Sequence, residues 1–448
     1  MSLYALELND ADFVAWDVSR ERLRDSGHAF VGADGWRFGA AAAAGARLHP
    51  HATLTSQWAD LDAPSIGAMP FAAAEAVYRQ MLTWREALGA DRGIWLASPA
   101  SSQAQLGLLL GIAQAAGLAV AVLADRAAAA VSALPVAGTV YHLDVELERG
   151  VLSEVQVHAG RAARHRVLAL PELGQRPLLT SWCKGFAARM VAQTRFDPLH
   201  DAATEQALFD ALPSWLAQLQ RIESIPEAAV EAHGRRYAIE YRAAHAAVDV
   251  AAAYRTLTAR LHALRPARRA ASILLSATAA RLPGILEALS EFNDCPLFTA
   301  NTGQAAQAAL GIWDEVQLRD PVQMLLLSLP HTPYEAWLPA RTAAAPDAVS
   351  AATHVVFAGR ALALSSEPLL VGTATDAARS LAVPASVAGV SRRHCSLLLE
   401  GGQAFVVDHS RFGSFLNEER VPARALLRVG DRLRLGNPGV ELSFVRME

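Results

Sequence analysis

Three blocks set the reading of this chain: Val390-Ser391-Arg392-Arg393-His394, then Asp408-His409-Ser410-Arg411-Phe412-Gly413-Ser414-Phe415-Leu416-Asn417, then Gly430-Asp431-Arg432-Leu433-Arg434-Leu435-Gly436. Ser, Asp, Gly and Asn in these blocks are turn formers, because their short side chains bond nearby backbone or tolerate positive φ. Around them lie short apolar runs, Val355-Val356-Phe357, Leu369-Leu370-Val371, Ser396-Leu397-Leu398-Leu399 and Ala404-Phe405-Val406-Val407. Short apolar runs alternating with turns, with no helical periodicity, predict an all-β sandwich over residues 354–448.

Upstream, the 448-residue length exceeds what one core supports and calls for two or three domains. The apolar fraction is 52% and the charged fraction 19%, with nine Trp and fourteen Phe as bulky core material, so the composition is globular. A net charge of −4 without charge blocks gives no field for a polyanion, basic residues clustering only in short runs such as Arg265 to Arg269, and nucleic acid is not expected as partner. Cys183, Cys295 and Cys395 are far apart, match neither zinc nor redox spacing, and suit a reducing compartment. Glu7 and Asp10 fall where a signal peptide needs a basic start and an apolar core, so a cytoplasmic location is expected. Leu106 to Ala124 carries no formal charge, but Gln114 and glycines 107, 111 and 117 interrupt it, and a buried helix followed by a buried strand is expected in place of a membrane span.

Between residues 1 and 335 strand and helix patterns alternate. Tyr4–Leu8 and Phe13–Trp16 read as a hairpin; Phe71–Glu86, Gln103–Ala115 and Arg126–Ala133 as helices; Gly93–Ala97, Leu118–Leu123 and Val140–Val145 as strands. The succession predicts an α/β domain with a largely parallel sheet. Helical stretches over Leu179–Arg195, Thr204–Ile222 and Val250–Ala263, with strands at Ala238–Arg242 and Ser272–Ser276, predict a second lobe, the lobes spanning about 1–178 and 179–335. Loss of periodicity from Pro330 to Thr353 predicts a linker at 336–353. Pro198 and Asp201 or Thr204 read as a helix start, not as a metal site with His200.

The C-terminal blocks resemble the forkhead-associated (FHA) domain, whose pattern runs Gly-Arg, then Ser-x-x-His, then Ser-x-Asn-Gly-Thr. The resemblance implies a sandwich that reads phosphothreonine peptides with the loops at one end. It places Ser391 on the phosphate, with Arg392, Ser410, Arg411 and Phe412 in the peptide site, and makes His394 the residue tying loops together. Gly372-Thr373 stands where the family has Gly-Arg, and Phe412 stands where it has the asparagine that bonds peptide backbone. Arg379 and Arg411 are the candidates to replace the missing arginine.

Ile94-Trp95-Leu96-Ala97-Ser98-Pro99, the Gln105–Ala116 helix with Gly117-Leu118, and Leu123 to Ala127, together with Phe38-Gly39-Ala40 and Arg47 to Pro50, resemble in order the actin, heat-shock-chaperone and sugar-kinase ATPase fold. The resemblance implies a two-lobed α/β body with ATP in its cleft, held by Asp-x-Gly hairpin turns and a Gly-Gly turn. The matching places here, Glu7-Leu8-Asn9, Asp144-Val145-Glu146 and Ser276-Ala277-Thr278, lack those glycines, and Glu146 adds a carboxylate where a phosphate is expected. The expectation is a non-enzymatic scaffold or adaptor with no cofactor, binding a protein partner through the FHA domain, phosphothreonine-dependent or not. The alternative is a chaperone-like ATPase using ATP and magnesium and targeted by that domain. Self-association of the α/β lobes is an expectation from fold analogy alone.

Overall fold

A computed structural model describes residues 3–65, 72–265, 270–313, 325–333, 340, 352–358, 360–374, 377–401, 403–417, 419–427, 429, 431–436 and 439–445. The chain divides into two compact units, Met1–Ala343 and Ala344–Glu448. The division falls within the stretch expected as a linker, most of which lies outside the described residues, as do Phe71, residues 266–269 and Gly430.

In the first unit, strands β1 (Leu3–Glu7) and β2 (Phe13–Trp16) form the expected hairpin, and β3 (Glu21–Asp25) continues the antiparallel meander. Strands β4 (Arg92–Ala97) and β5 (Ala119–Asp125) add in parallel on the other side of β1, giving the order β3-β2-β1-β4-β5. The same pattern recurs after residue 137. Strands β6 (Gly138–Val145), β7 (Gly150–His158) and β8 (Arg161–Leu170) form a second antiparallel meander. Strands β9 (Ala271–Leu275) and β10 (Leu297–Thr299) extend it in parallel beyond β6, and Ser328–Pro330 pairs at the far edge of β8.

Both sheets are therefore mixed, which corrects the expectation of a largely parallel sheet. Turns of a few residues can join only antiparallel neighbours, since a parallel connection needs a crossover of a dozen residues or more. The lobe limit also moves: β6 to β8 precede residue 178 yet belong to the second sheet, so the change of sheet falls between Asp125 and Gly138.

Helix α1 (Ala73–Leu88) buries Val77, Met81, Trp84 and Leu88 on one stripe, and α2 (Gln103–Ala115) starts at a capping box between Ser102 and Gln105. Together they cover the first sheet, with Trp84, Trp95, Tyr4 and Phe13 in the shared core. Among the described residues no helix is long and apolar enough to cross a membrane. Helix α3 (Arg126–Ser132) is buried on every side. Its alanines lie in one core with Ala5, Ile94 and Leu96 of the first sheet and Val140, Val155 and Leu274 of the second. Small side chains let a helix sit this close to two sheets. Helices α4 (Gln175–Thr194), α5 (Ala202–Leu219) and α6 (Ala251–Leu264) pack a third core on the second sheet. Asp201 caps α5 by accepting from Thr204 N–H at 3.2 Å.

The second unit is a β-sandwich. One sheet runs Arg360–Ala363, His354–Phe357, Val440–Val445, Arg432–Leu435, Ser414–Leu416 and Glu419–Arg420; the other runs Ser380–Ala382, Leu369–Gly372, Cys395–Glu400, Gln403–Asp408 and Arg424–Leu427. Val355, Val371, Leu397, Val406, Leu433 and Phe444 supply the core between them.

Candidate functional site

In the first unit, the β1–β2 and β6–β7 turns meet. Asn9 donates to Asp144 Oδ1 at 2.9 Å and to the Val145 carbonyl at 3.0 Å, while its own Oδ1 accepts from Ala11 N–H. Asp10 accepts from Leu147 N–H at 2.7 Å. Thr278 donates to Asp144 at 2.9 Å and sits 2.8 Å from Ser276 Oγ, which caps the helical turn Ala277–Ala280. Between the two turns lies Arg126, 2% exposed. Its Nε donates to Asp144 and its Nη2 to Glu146, both at 2.6 Å, and Nη1 donates to the Leu8 carbonyl. Arg149 takes the other oxygen of Glu146 at 2.8 Å.

The expected repulsive carboxylate at Glu146 is thus neutralised from within the chain. Burial pushes Asp144 upward, but the Arg126 guanidinium, His142 and the hydroxyls of Ser276 and Thr278 outweigh it and hold the carboxyl at about 2. Asp10, desolvated and facing Glu146, is pushed up to about 7. Glu7, desolvated, is also raised to about 7 although it accepts from Ala306 N–H at 2.8 Å. His142 is lowered to about 4 by burial, and among the described residues its ring nitrogens find no hydrogen-bond partner.

Arg126, Asp144, His142 and Ser276 line a cavity of only ≈ 30 Å³, room for ordered water and far below the size of a small-molecule site. A second cavity of ≈ 660 Å³ opens nearby, lined by Gln175, Leu179, Trp182, Gln218, Arg221 and Leu282. That volume is in the range of small-molecule sites, roughly 300–1,000 Å³. The structure therefore gathers Asn9, Asp144, Glu146 and Ser276 around Arg126, with Glu7 on the rim of the small cavity. Arg126 was not legible as a site residue, because it opens an alanine-rich helix as any solvated cation would.

In the second unit, three loops converge at one end of the sandwich. Thr373 N–H donates to Ser391 O at 3.2 Å and Ala374 N–H to Arg392 O at 3.0 Å. Gly372 permits this approach, since a Cβ there would lie 2.3 Å from Arg392 O. Fully buried His394 accepts from Ser391 N–H through Nδ1 at 3.0 Å, which leaves the proton on Nε2 to donate to Gly413 O at 3.2 Å. Desolvation lowers its pKa, so the ring stays neutral. In the third loop Asp408 accepts from the hydroxyls of Ser410 and Ser414, each at 2.8 Å, and Ser410 Oγ accepts from Gly413 N–H at 2.8 Å. Arg411 N–H donates to Ser391 Oγ at 3.3 Å, joining the second loop to the third. Residues 370–436 match the family model of the FHA domain. Among curated proteins no match to the chain is found.

The FHA domain makes this end of the chain a protein-interaction module. Its loop end presents exposed Arg392, Arg393 and Arg411, and Phe412 is 56% exposed. None of the three arginines forms an ion pair among the described residues. The Ser391 hydroxyl accepts from Arg411 N–H and keeps its own proton to donate, whereas the Ser410 hydroxyl donates to Asp408 inside its loop. Arg379 donates to Ser365 Oγ and to the carbonyls of Glu367 and Ala363 at 2.6 and 2.5 Å, so its guanidinium is engaged in the fold. Asn417 sits at φ 48° and bonds Asp431 and Arg432 N–H, which makes it part of the turn.

Proposed function

We propose that the chain is a non-enzymatic scaffold or adaptor whose FHA domain binds a phosphothreonine-bearing protein partner, carried on a catalytically degenerate body of the actin, heat-shock-chaperone and sugar-kinase type. The observation that carries the binding reading is the Ser391 corner: a hydroxyl with a proton to give, fixed by Arg411 N–H, beside exposed arginines that form no ion pair among the described residues. Arg392 and Arg411 supply the positive charge, Phe412 packs on the peptide, and Ser410 holds the third loop in shape. A bond to a charged group contributes roughly 1.5–3 kcal/mol, so Ser391→Ala with Arg411→Ala lowers phosphopeptide affinity at least about a hundredfold. Fluorescence anisotropy with a phosphothreonine peptide library measures this, and equal binding of phosphorylated and unphosphorylated peptides refutes the reading.

The repeated strand order of the two sheets supports the actin-like assignment of the body. Its degeneracy rests on Arg126, whose guanidinium fills the space between the turns that correspond to phosphate turns. A thermal-shift titration with Mg-ATP tests this: no saturable stabilisation is expected, and stabilisation accompanied by turnover overturns it. The second reading, a nucleotide-binding ATPase targeted by the FHA domain, is favoured by the ≈ 660 Å³ cavity beside Thr278. A cytoplasmic location and self-association of the body belong to the proposal as well. Light scattering checks the latter.

A further inference from the structure

We infer that the FHA loop end selects a phosphopeptide with acidic residues close to its phosphothreonine and an apolar side chain to lie on Phe412. The inference rests on the phosphopeptide reading above and deepens it. Three guanidiniums, of Arg392, Arg393 and Arg411, are exposed on two adjoining loops, and none has a carboxylate partner among the described residues. Their formal charge is three, while a phosphothreonine carries only about −1.5 to −2 at neutral pH. One phosphate therefore leaves positive charge unmatched, and carboxylates on the same peptide complete the complementarity.

The binding geometry concentrates this charge at the Ser391 corner. Arg411 follows Ser410 in a loop fixed by Asp408, and its N–H is bonded to Ser391. Arg392 and Arg393 follow Ser391 directly, with the Arg392 carbonyl held by Ala374 N–H. The loop arginine expected after Gly372 is Thr373, and Arg379 is tied to carbonyls, so the cationic surface lies on the second and third loops. Phe412 lies next to Arg411 at 56% exposure, and a large aromatic exposed beside charged groups is suited to receive an aliphatic side chain.

The test uses the full chain and fluorescein-labelled peptides in anisotropy titrations. A phosphothreonine peptide with flanking Asp and Leu is compared with one whose Asp residues are Lys, with one whose Leu is Ser, and with the unphosphorylated acidic peptide. Two rim ion pairs predict about tenfold tighter binding of the acidic phosphopeptide than of the Lys version, a preference reduced below about threefold by Arg392→Ala with Arg393→Ala. Phe412→Ala weakens the Leu peptide about fivefold and leaves the Ser peptide unchanged. Equal affinity for the acidic and Lys-flanked phosphopeptides overturns the inference while leaving phosphothreonine binding in place. Equal affinity for phosphorylated and unphosphorylated acidic peptides instead overturns the phosphopeptide reading beneath it. Phosphatidylserine vesicles bound as tightly as the peptide also overturn it, assigning the cationic surface to a membrane.

Discussion

Replacing Arg126 by methionine keeps the length of the side chain and removes its charge and all three donated hydrogen bonds. Glu146 retains Arg149, and Asp144 retains Asn9 and Thr278, but Asp144 loses its nearest cation. Removing one partner of a buried ion pair costs roughly 3–5 kcal/mol, because an uncompensated charge stays out of water. With an unfolding entropy of roughly 2.1 cal/mol/K per residue, the 343-residue unit loses about 1.4 °C per kcal/mol, so the variant melts about 4–7 °C lower at pH 7.5. The pH dependence carries the diagnostic sign. In the parent the Asp144 carboxyl, held at about 2 against an ordinary 3.8, contributes stability above pH 4 that is lost as pH falls toward 2. In the variant burial acts unopposed by the guanidinium, the carboxyl rises, and protonating it at pH 5 relieves part of the penalty. Scanning calorimetry of parent and variant at pH 7.5 and pH 5 measures both effects. A deficit under about 1 °C at pH 7.5, or one that does not shrink at pH 5, refutes the assignment of Arg126 as the charge that holds the two turns together.

Asp10 is raised from 3.8 to about 7 by burial and by Glu146, so its charged form is disfavoured in the fold and the parent loses stability as pH rises from about 4 to 7, the full penalty being present above 7. Asp10→Asn keeps a carbonyl for Leu147 N–H and is expected to raise the melting temperature at pH 8 more than at pH 5; the reverse order refutes this. His394→Ala leaves Ser391 N–H without its partner, at roughly 1–3 kcal/mol, and removes one of the two donors to Gly413 O, which keeps Gly436 N–H at 3.0 Å. Limited proteolysis should then cut the FHA domain faster while the first unit keeps its parent rate. Gly372→Ala would place a Cβ against the Arg392 and Ser391 carbonyls. It is expected to displace the second loop and weaken phosphopeptide binding more than it lowers thermal stability, and unchanged affinity counts against the proposed site.

Elements whose pattern is local were legible in the sequence. Helix α2 occupies Gln103–Ala115 as the helical pattern up to Gly117 required, and β2 fills Phe13–Trp16. The direction of strand pairing was not, because it depends on which distant strand closes the sheet. Strand β8 is not legible in the sequence, since RAARHRVLAL puts Arg and His on partly exposed positions and shows no clean alternation. The FHA loops were readable because turn chemistry demands Gly413 at φ 82° and a histidine able to bridge two backbones. The role of Ser410 was not, since a serine that donates inward to Asp408 and one that donates outward look alike in a sequence. Arg126 carried one signal in hindsight: Asp144 and Glu146 alternate on a buried strand end and require a counter-charge from somewhere.

The Asp408 knot has a consequence for how fast a partner binds and how long it stays. With Ser410, Gly413 and Ser414 already bonded, the third loop surrenders little backbone freedom when a ligand arrives. Ordering costs that usually subtract from affinity fall instead on the incoming peptide. Binding to such a preset surface is governed by encounter through long-range charge, so salt should slow association while leaving the dissociation rate nearly constant.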